Sequence, residues 1–89
     1  MTPVIYLKSA VTDLTSIETH YSKISQQTSD NVYQDILAAI EVLQTFPDAG
    51  RLLEDGSRKF PSHKYRFNIT YFHRRNIIEI IGIYRFQNR

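Results

Sequence analysis

A proline at position 47 divides this 89-residue chain into two halves whose apolar residues recur at different intervals. Before it, Leu14, Ile17, Tyr21 and Ile24 follow one another at three- and four-residue spacing, and so do Tyr33, Ile36, Leu37, Ile40 and Leu43. That spacing lays an apolar stripe along one side of an α-helix. After it, Tyr65, Phe67, Ile69 and Tyr71 alternate with Lys64, Arg66, Asn68 and Thr70, the two-residue period of a half-buried strand. Helices first and strands afterwards point to an α+β fold, with the helices gathered on one side of a small sheet.

The punctuation refines this reading. Val4-Ile5-Tyr6-Leu7 is a short β-branched and aromatic run that predicts a first strand. Ser9 offers an N-cap for a helix from about Ala10 to Gln26. Gln27, Thr28 and Ser29 then break the pattern, and Ser29 or Asp30 caps a second helix that ends at Phe46, because Pro47 disfavours helical geometry before it. Two helices on so short a link lie antiparallel as a hairpin. Pro47–Ser57 reads as a loop, Arg58-Lys59-Phe60 as a short strand, and Ile77 to Tyr84 as a central strand covered on both faces, entered through a tight turn at Arg74-Arg75-Asn76. The expected order is β-α-α-β-β-β in one domain spanning 1–89, with a mainly antiparallel sheet.

Charge is divided at the same place. Positions 1–45 hold two basic and five acidic residues, whereas 46–89 hold nine basic and four acidic ones. Within 57–89 the only acid is Glu79, against eight lysines and arginines. Such a concentration attracts an anionic partner, a nucleic acid or an acidic protein. The plain alternative is a solvated basic sheet edge, since cations there discourage edge-to-edge pairing. No run approaches the roughly 20 apolar residues of a membrane span, and a cytoplasmic protein without a membrane partner is expected.

Several chemistries lack their residues. With no cysteine there is no thiolate site, disulfide or cysteine nucleophile. One carboxylate within 57–89 gives no paired-carboxylate mechanism there, and His63 and His73 fall at opposite ends of a strand about 25 Å long, too far apart to share a metal. No metal and no cofactor is expected. Two uses remain for a cationic surface interleaved with tyrosines. One is RNA cleavage through the 2′-hydroxyl, with arginine and lysine stabilising the phosphorane; the other is recognition of a carboxylate- or phosphate-rich partner. Arg66 is central to both, placed by alternation beside Lys64 on the face opposite Tyr65, Phe67, Ile69 and Tyr71, as a binding residue or as a solvent-facing partner of Glu79. Tyr84 and Arg85, at the end of the last strand, can join that face.

Phe46-Pro47-Asp48-Ala49-Gly50-Arg51, then Arg58-Lys59-Phe60-Pro61, and an aromatic strand ending in Tyr71 together resemble the RelE/ParE superfamily of toxins from type II toxin–antitoxin systems. The resemblance covers nearly the whole chain and is nearer the ParE branch, whose members bind and poison DNA gyrase. It implies a cognate antitoxin and a toxin–antitoxin hetero-oligomer. Target- or antitoxin-binding residues are then Arg58, Lys59, Lys64, Arg66, Tyr84, Arg85 and Arg89. RelE-like toxins instead cut mRNA on the ribosome. On that alternative Arg66, with Arg58 or Lys59 and a late arginine at Arg85 or Arg89, would carry a metal-independent cleavage, although the C-terminal tyrosine of that branch has no counterpart. On the ParE side, the ending Arg85-Phe86-Gln87-Asn88-Arg89 departs from the branch's usual polar tail.

Overall fold

The computed structural model describes residues 1–85, in the order β1 (Val4–Tyr6), α1 (Lys8–Ser22), α2 (Gln26–Thr45), β2 (Arg51–Leu52), β3 (Arg58–Pro61), β4 (Asn68–Arg74) and β5 (Ile77–Tyr84). The strands form one sheet in the order β1-β5-β4-β3-β2, antiparallel throughout except for the parallel β1–β5 pair. Val32, Ile36, Ala39, Ile40 and Leu43 of α2, with Ala10 of α1, bury against Ile69, Tyr71, Ile78, Ile80 and Ile83 of the two longest strands. The expected α+β architecture stands, with one strand more than the sequence pattern shows.

The helix boundaries differ from the expected ones. α1 begins at Lys8 with Leu7 as its N-cap, and Ser9 lies inside the first turn, its hydroxyl donating to the Ile81 carbonyl on β5. The interhelical break comes earlier, at 23–25. Ser25 is the cap of α2, its hydroxyl oxygen accepting from the Thr28 N–H at 3.0 Å, while Ser29 and Asp30 are within the helix. Gln27-Thr28-Ser29 is polar because it forms the first turn of α2, where polar residues satisfy free N–H groups. The core stripe of α2 is turned accordingly: Val32 is fully buried and Tyr33 is 49% exposed. Ile24, at 64% exposure, is outside the core.

β5 reads as a continuous apolar run because it contains a bulge. Tyr71 pairs with Ile80 and Thr70 with Gly82, leaving Ile81 as an extra residue. The slip moves the core-facing parity from Ile78 and Ile80 to Ile83, so apolar residues fall on both odd and even positions. Only the helix-facing side buries them; Ile77, Glu79 and Ile81 on the rest of the strand are half-exposed. β1 reaches only as far as Ile80, and α1 takes over where it stops. The Ser9 hydroxyl donates to the Ile81 carbonyl, and Asp13 Oδ2 accepts from the Ile83 N–H at 2.9 Å. Two helix side chains one turn apart thus satisfy the backbone of an edge that the short strand leaves open.

β4 is shorter than alternation predicts. It starts at Asn68, and 62–67 form a loop in which Arg66 has φ 60°. Arg66 is therefore not a strand residue facing Glu79; Glu79 pairs instead with Arg74, Oε1 to Nη2 at 3.0 Å. At the other end of β4, Arg75 and Asn76 both take positive φ, 57° and 60°, as a two-residue hairpin loop requires. β2 lies within the expected 47–57 loop, pairing Arg51 with Lys59 and Leu52 with Arg58.

Candidate functional site

Two loops each follow a Phe-Pro dipeptide: one carries the chain from α2 into the sheet, and the other joins β3 to β4 beside α2. At the first, α2 ends at Phe46 and the chain turns through Pro47 to Gly50. The fully buried Tyr71 reaches from β4 into this corner: its hydroxyl donates to the Pro47 carbonyl at 2.7 Å and accepts the Gly50 N–H at 3.0 Å. Burial raises the Tyr71 hydroxyl above its ordinary pKa and outweighs the Gly50 hydrogen bond and the Arg58 charge, which pull it down. A Cβ on Gly50 would stand 2.7 Å from that hydroxyl, so only glycine fits beneath the ring. Arg58 Nη1 donates to the carbonyls of Gly50 at 2.9 Å and Asp48 at 3.2 Å. The Asp48 carboxylate meets His73 Nδ1 at 2.8 Å and Arg58 Nε at 3.6 Å. The His73 hydrogen bond, followed by the Arg58 and His73 charges, holds the exposed Asp48 below the usual carboxylate range.

The second loop, 62–67, follows Phe60-Pro61. Ser62 closes it, donating its N–H to the Phe67 carbonyl at 2.8 Å and accepting the Phe67 N–H on its hydroxyl at 2.9 Å. Asp35, 93% buried on α2, clamps it from below, with Oδ1 accepting from the Lys64 N–H at 3.0 Å and Oδ2 from the Tyr65 N–H at 2.7 Å. Burial would raise Asp35, but those two backbone donors, the Ser62 hydroxyl and the His63 charge together hold it below its ordinary value. The side chains of His63, Lys64 and Arg66 are left at the surface.

The sequence-predicted residues thus separate into groups. Arg58 points into the first corner and holds backbone. Lys59 lies on the sheet face away from the helices, opposite Thr70, and Tyr84 is on the same face, opposite Asn68. Lys64 and Arg66 project together from the second loop. Arg85 leaves the end of β5 toward α1, donating to the Tyr21 hydroxyl at 2.9 Å with its guanidinium 6.0 Å from the Phe67 ring centroid. Arg89 lies outside the described residues. Among the described residues no carboxylate comes within ion-pair distance of Lys59, Lys64 or Arg66. Nor do three metal-ligating side chains converge, and no described helix is long and apolar enough to cross a membrane.

The roles of Asp35, Asp13, Asp48 and His73 were not legible in the sequence, although it places Asp48 in the Phe46–Arg51 motif and offers His73 as a candidate metal ligand. Asp35 left a trace: it sits three residues after Val32 and four before Ala39, on the apolar stripe of α2. An acid there must find donors or disrupt the core. The contacts of Asp13, Asp48 and His73 span 10 to 70 residues and left no local pattern.

Three comparisons with known proteins bear on this arrangement. The model of the ParE toxin of the type II toxin–antitoxin system, parDE, matches residues 4–86. Among curated proteins, no sequence matches. Among solved structures, a chromosomal ParDE toxin–antitoxin system from P. aeruginosa superposes with a TM-score of 0.83 at 26% identity, covering 98% of each chain. The described sheet and helical hairpin have the architecture of that structure, and the sequence match runs from β1 past the end of β5: this chain belongs to the ParE toxin family of type II toxin–antitoxin systems.

Proposed function

We propose that this chain arrests growth by binding DNA gyrase, and that a cognate antitoxin neutralises it by covering its basic surface. The family match over residues 4–86 carries this reading. The geometry supports a binding role. Arg58, which an RNA-cleaving site would direct at a phosphate, is committed to two carbonyls and a carboxylate in the first corner. Lys64 and Arg66 are exposed on the second loop and Lys59 is half-exposed on β3, a spread that suits contact over an area more than convergence on one reacting atom. An antitoxin segment bearing carboxylates would meet them with complementary charge and associate quickly, and buried apolar area would set the slow dissociation.

Purified toxin, free of antitoxin, should block gyrase-catalysed supercoiling or trap cleaved DNA, and leave translated mRNA intact in primer extension. Codon-dependent cuts that require ribosomes, with supercoiling unaffected, would replace gyrase binding by mRNA cleavage as the activity.

A further inference from the structure

We infer that the cleft between α2 and the second loop is a docking site for an acidic segment of the antitoxin that also carries an apolar side chain, with Arg66 gripping the carboxylate; this rests on the toxin–antitoxin reading above. The cleft measures about 290 Å³ and is walled by Ala38 and Val42 of α2, Phe60 and Pro61 at the end of β3, and His63 and Arg66 of the loop. Its floor is apolar, with Val42 41% exposed, and its rim is cationic. The one acid beneath it, Asp35, has an oxygen engaged by each of two loop N–H groups and makes no ion pair with Arg66.

The backbone of Arg66 adds an independent reason. At φ 60° a glycine or asparagine sits more easily, and an arginine there is strained. Its side chain returns nothing to the fold: no hydrogen bond, ion pair or ring contact in the described residues holds it. The loop that Asp35 and Ser62 close sets this backbone, and an arginine placed there presents its guanidinium outward, to a partner beyond the chain. The chemistry of the cleft selects the partner. Arg66 is the one arginine or lysine in its lining, and a single fixed cation does not make a phosphate track. A leucine- or valine-sized side chain with an acid near it in sequence satisfies both floor and rim.

The test titrates the full 89-residue chain with the antitoxin protein that neutralises it, following heat of binding alongside thermal melting of the toxin alone. Arg66→Gly should weaken binding about tenfold or more while leaving the melting temperature unchanged or raised, since glycine relieves the strained φ. Val42→Asp, which brings a like charge to the incoming acid, should weaken it comparably. Arg75→Gly is the control, because Arg75 is also an exposed arginine at positive φ, in the β4–β5 turn, and its loss should leave affinity within about twofold. Unchanged affinity in Arg66→Gly overturns the cleft assignment, and so does an equal loss in Arg75→Gly, which would mean diffuse charge attraction. If the wild-type chain itself fails to bind the protein that neutralises it in cells, the antitoxin reading falls and the docking site with it.

Discussion

The two Phe-Pro loops are built from similar residues and use them in opposite ways. At 46–50 a tyrosine from β4 and an arginine from β3 turn inward and hold backbone, so that Tyr71 and Arg58 close the passage from helix to sheet. At 62–67 the holding is done from below by a carboxylate, Asp35, and the cations are turned outward. The difference follows from which backbone groups need partners. The first corner presents free carbonyls, at Pro47, Asp48 and Gly50, and calls for donors; the second presents free N–H groups, at Lys64 and Tyr65, and calls for an acceptor. An arginine can serve only the first. Positive charge counted along a sequence is therefore a poor guide to positive charge available at a surface.

The largest expected effect is on the inward loop. Tyr71→Ala removes a fully buried ring and both hydrogen bonds of its hydroxyl, and should lower unfolding free energy by about 3–5 kcal/mol in urea titration. Tyr71→Phe keeps the ring and separates packing from hydrogen bonding, with an expected loss of about 1–3 kcal/mol because the Gly50 N–H loses its partner. A Tyr71→Phe variant as stable as wild type would break the comparison at its first term.

The outward loop depends on Asp35 and should show it in its acid response. The folded pKa of Asp35 lies below its ordinary value. Its contribution is accordingly complete above the unfolded pKa, near 4, and is lost as the pH falls through the lower folded value. Asp35→Asn should cost about 1–3 kcal/mol at pH 7 and progressively less toward pH 3, read from urea midpoints at each pH. A penalty that grew on acidification would mean that the carboxyl holds its partners as the neutral acid.

Much of this architecture was legible beforehand for an identifiable reason. The change of period at Pro47 and the helical stripes are local signals, and so is the turn at Arg75-Asn76, whose positive φ values suit a tight hairpin. What escaped was non-local. The bulge at Ile81 is concealed by Ile80 before it and Ile83 beyond Gly82, and β2 by its two-residue length. The entry to β4 misled because Tyr65 and Phe67 keep an alternating pattern through a loop, where both face the core without being extended. For the candidate site, the identities of the cations were readable from composition, but their directions were not: Arg58 and Arg66 look equivalent until the partners of each are seen.

A smaller effect concerns the edge at which α1 replaces β1. Asp13→Ala leaves the Ile83 N–H without its acceptor and should cost about 1–2 kcal/mol, with faster hydrogen exchange at Ile83 than at Ile69 beside it. Equal protection at the two amides would show that the edge does not depend on the helix.

The partition of cations between fold and partner is tested most directly by measuring two variants in two ways. Arg58→Ala and Arg66→Gly are each melted alone and each titrated with the neutralising antitoxin. The account predicts a crossed result: Arg58→Ala loses about 1 kcal/mol of stability and retains most of its affinity, whereas Arg66→Gly retains its stability and loses affinity. Two variants that lose affinity alike with stability intact, or that lose stability alike with affinity intact, would contradict it.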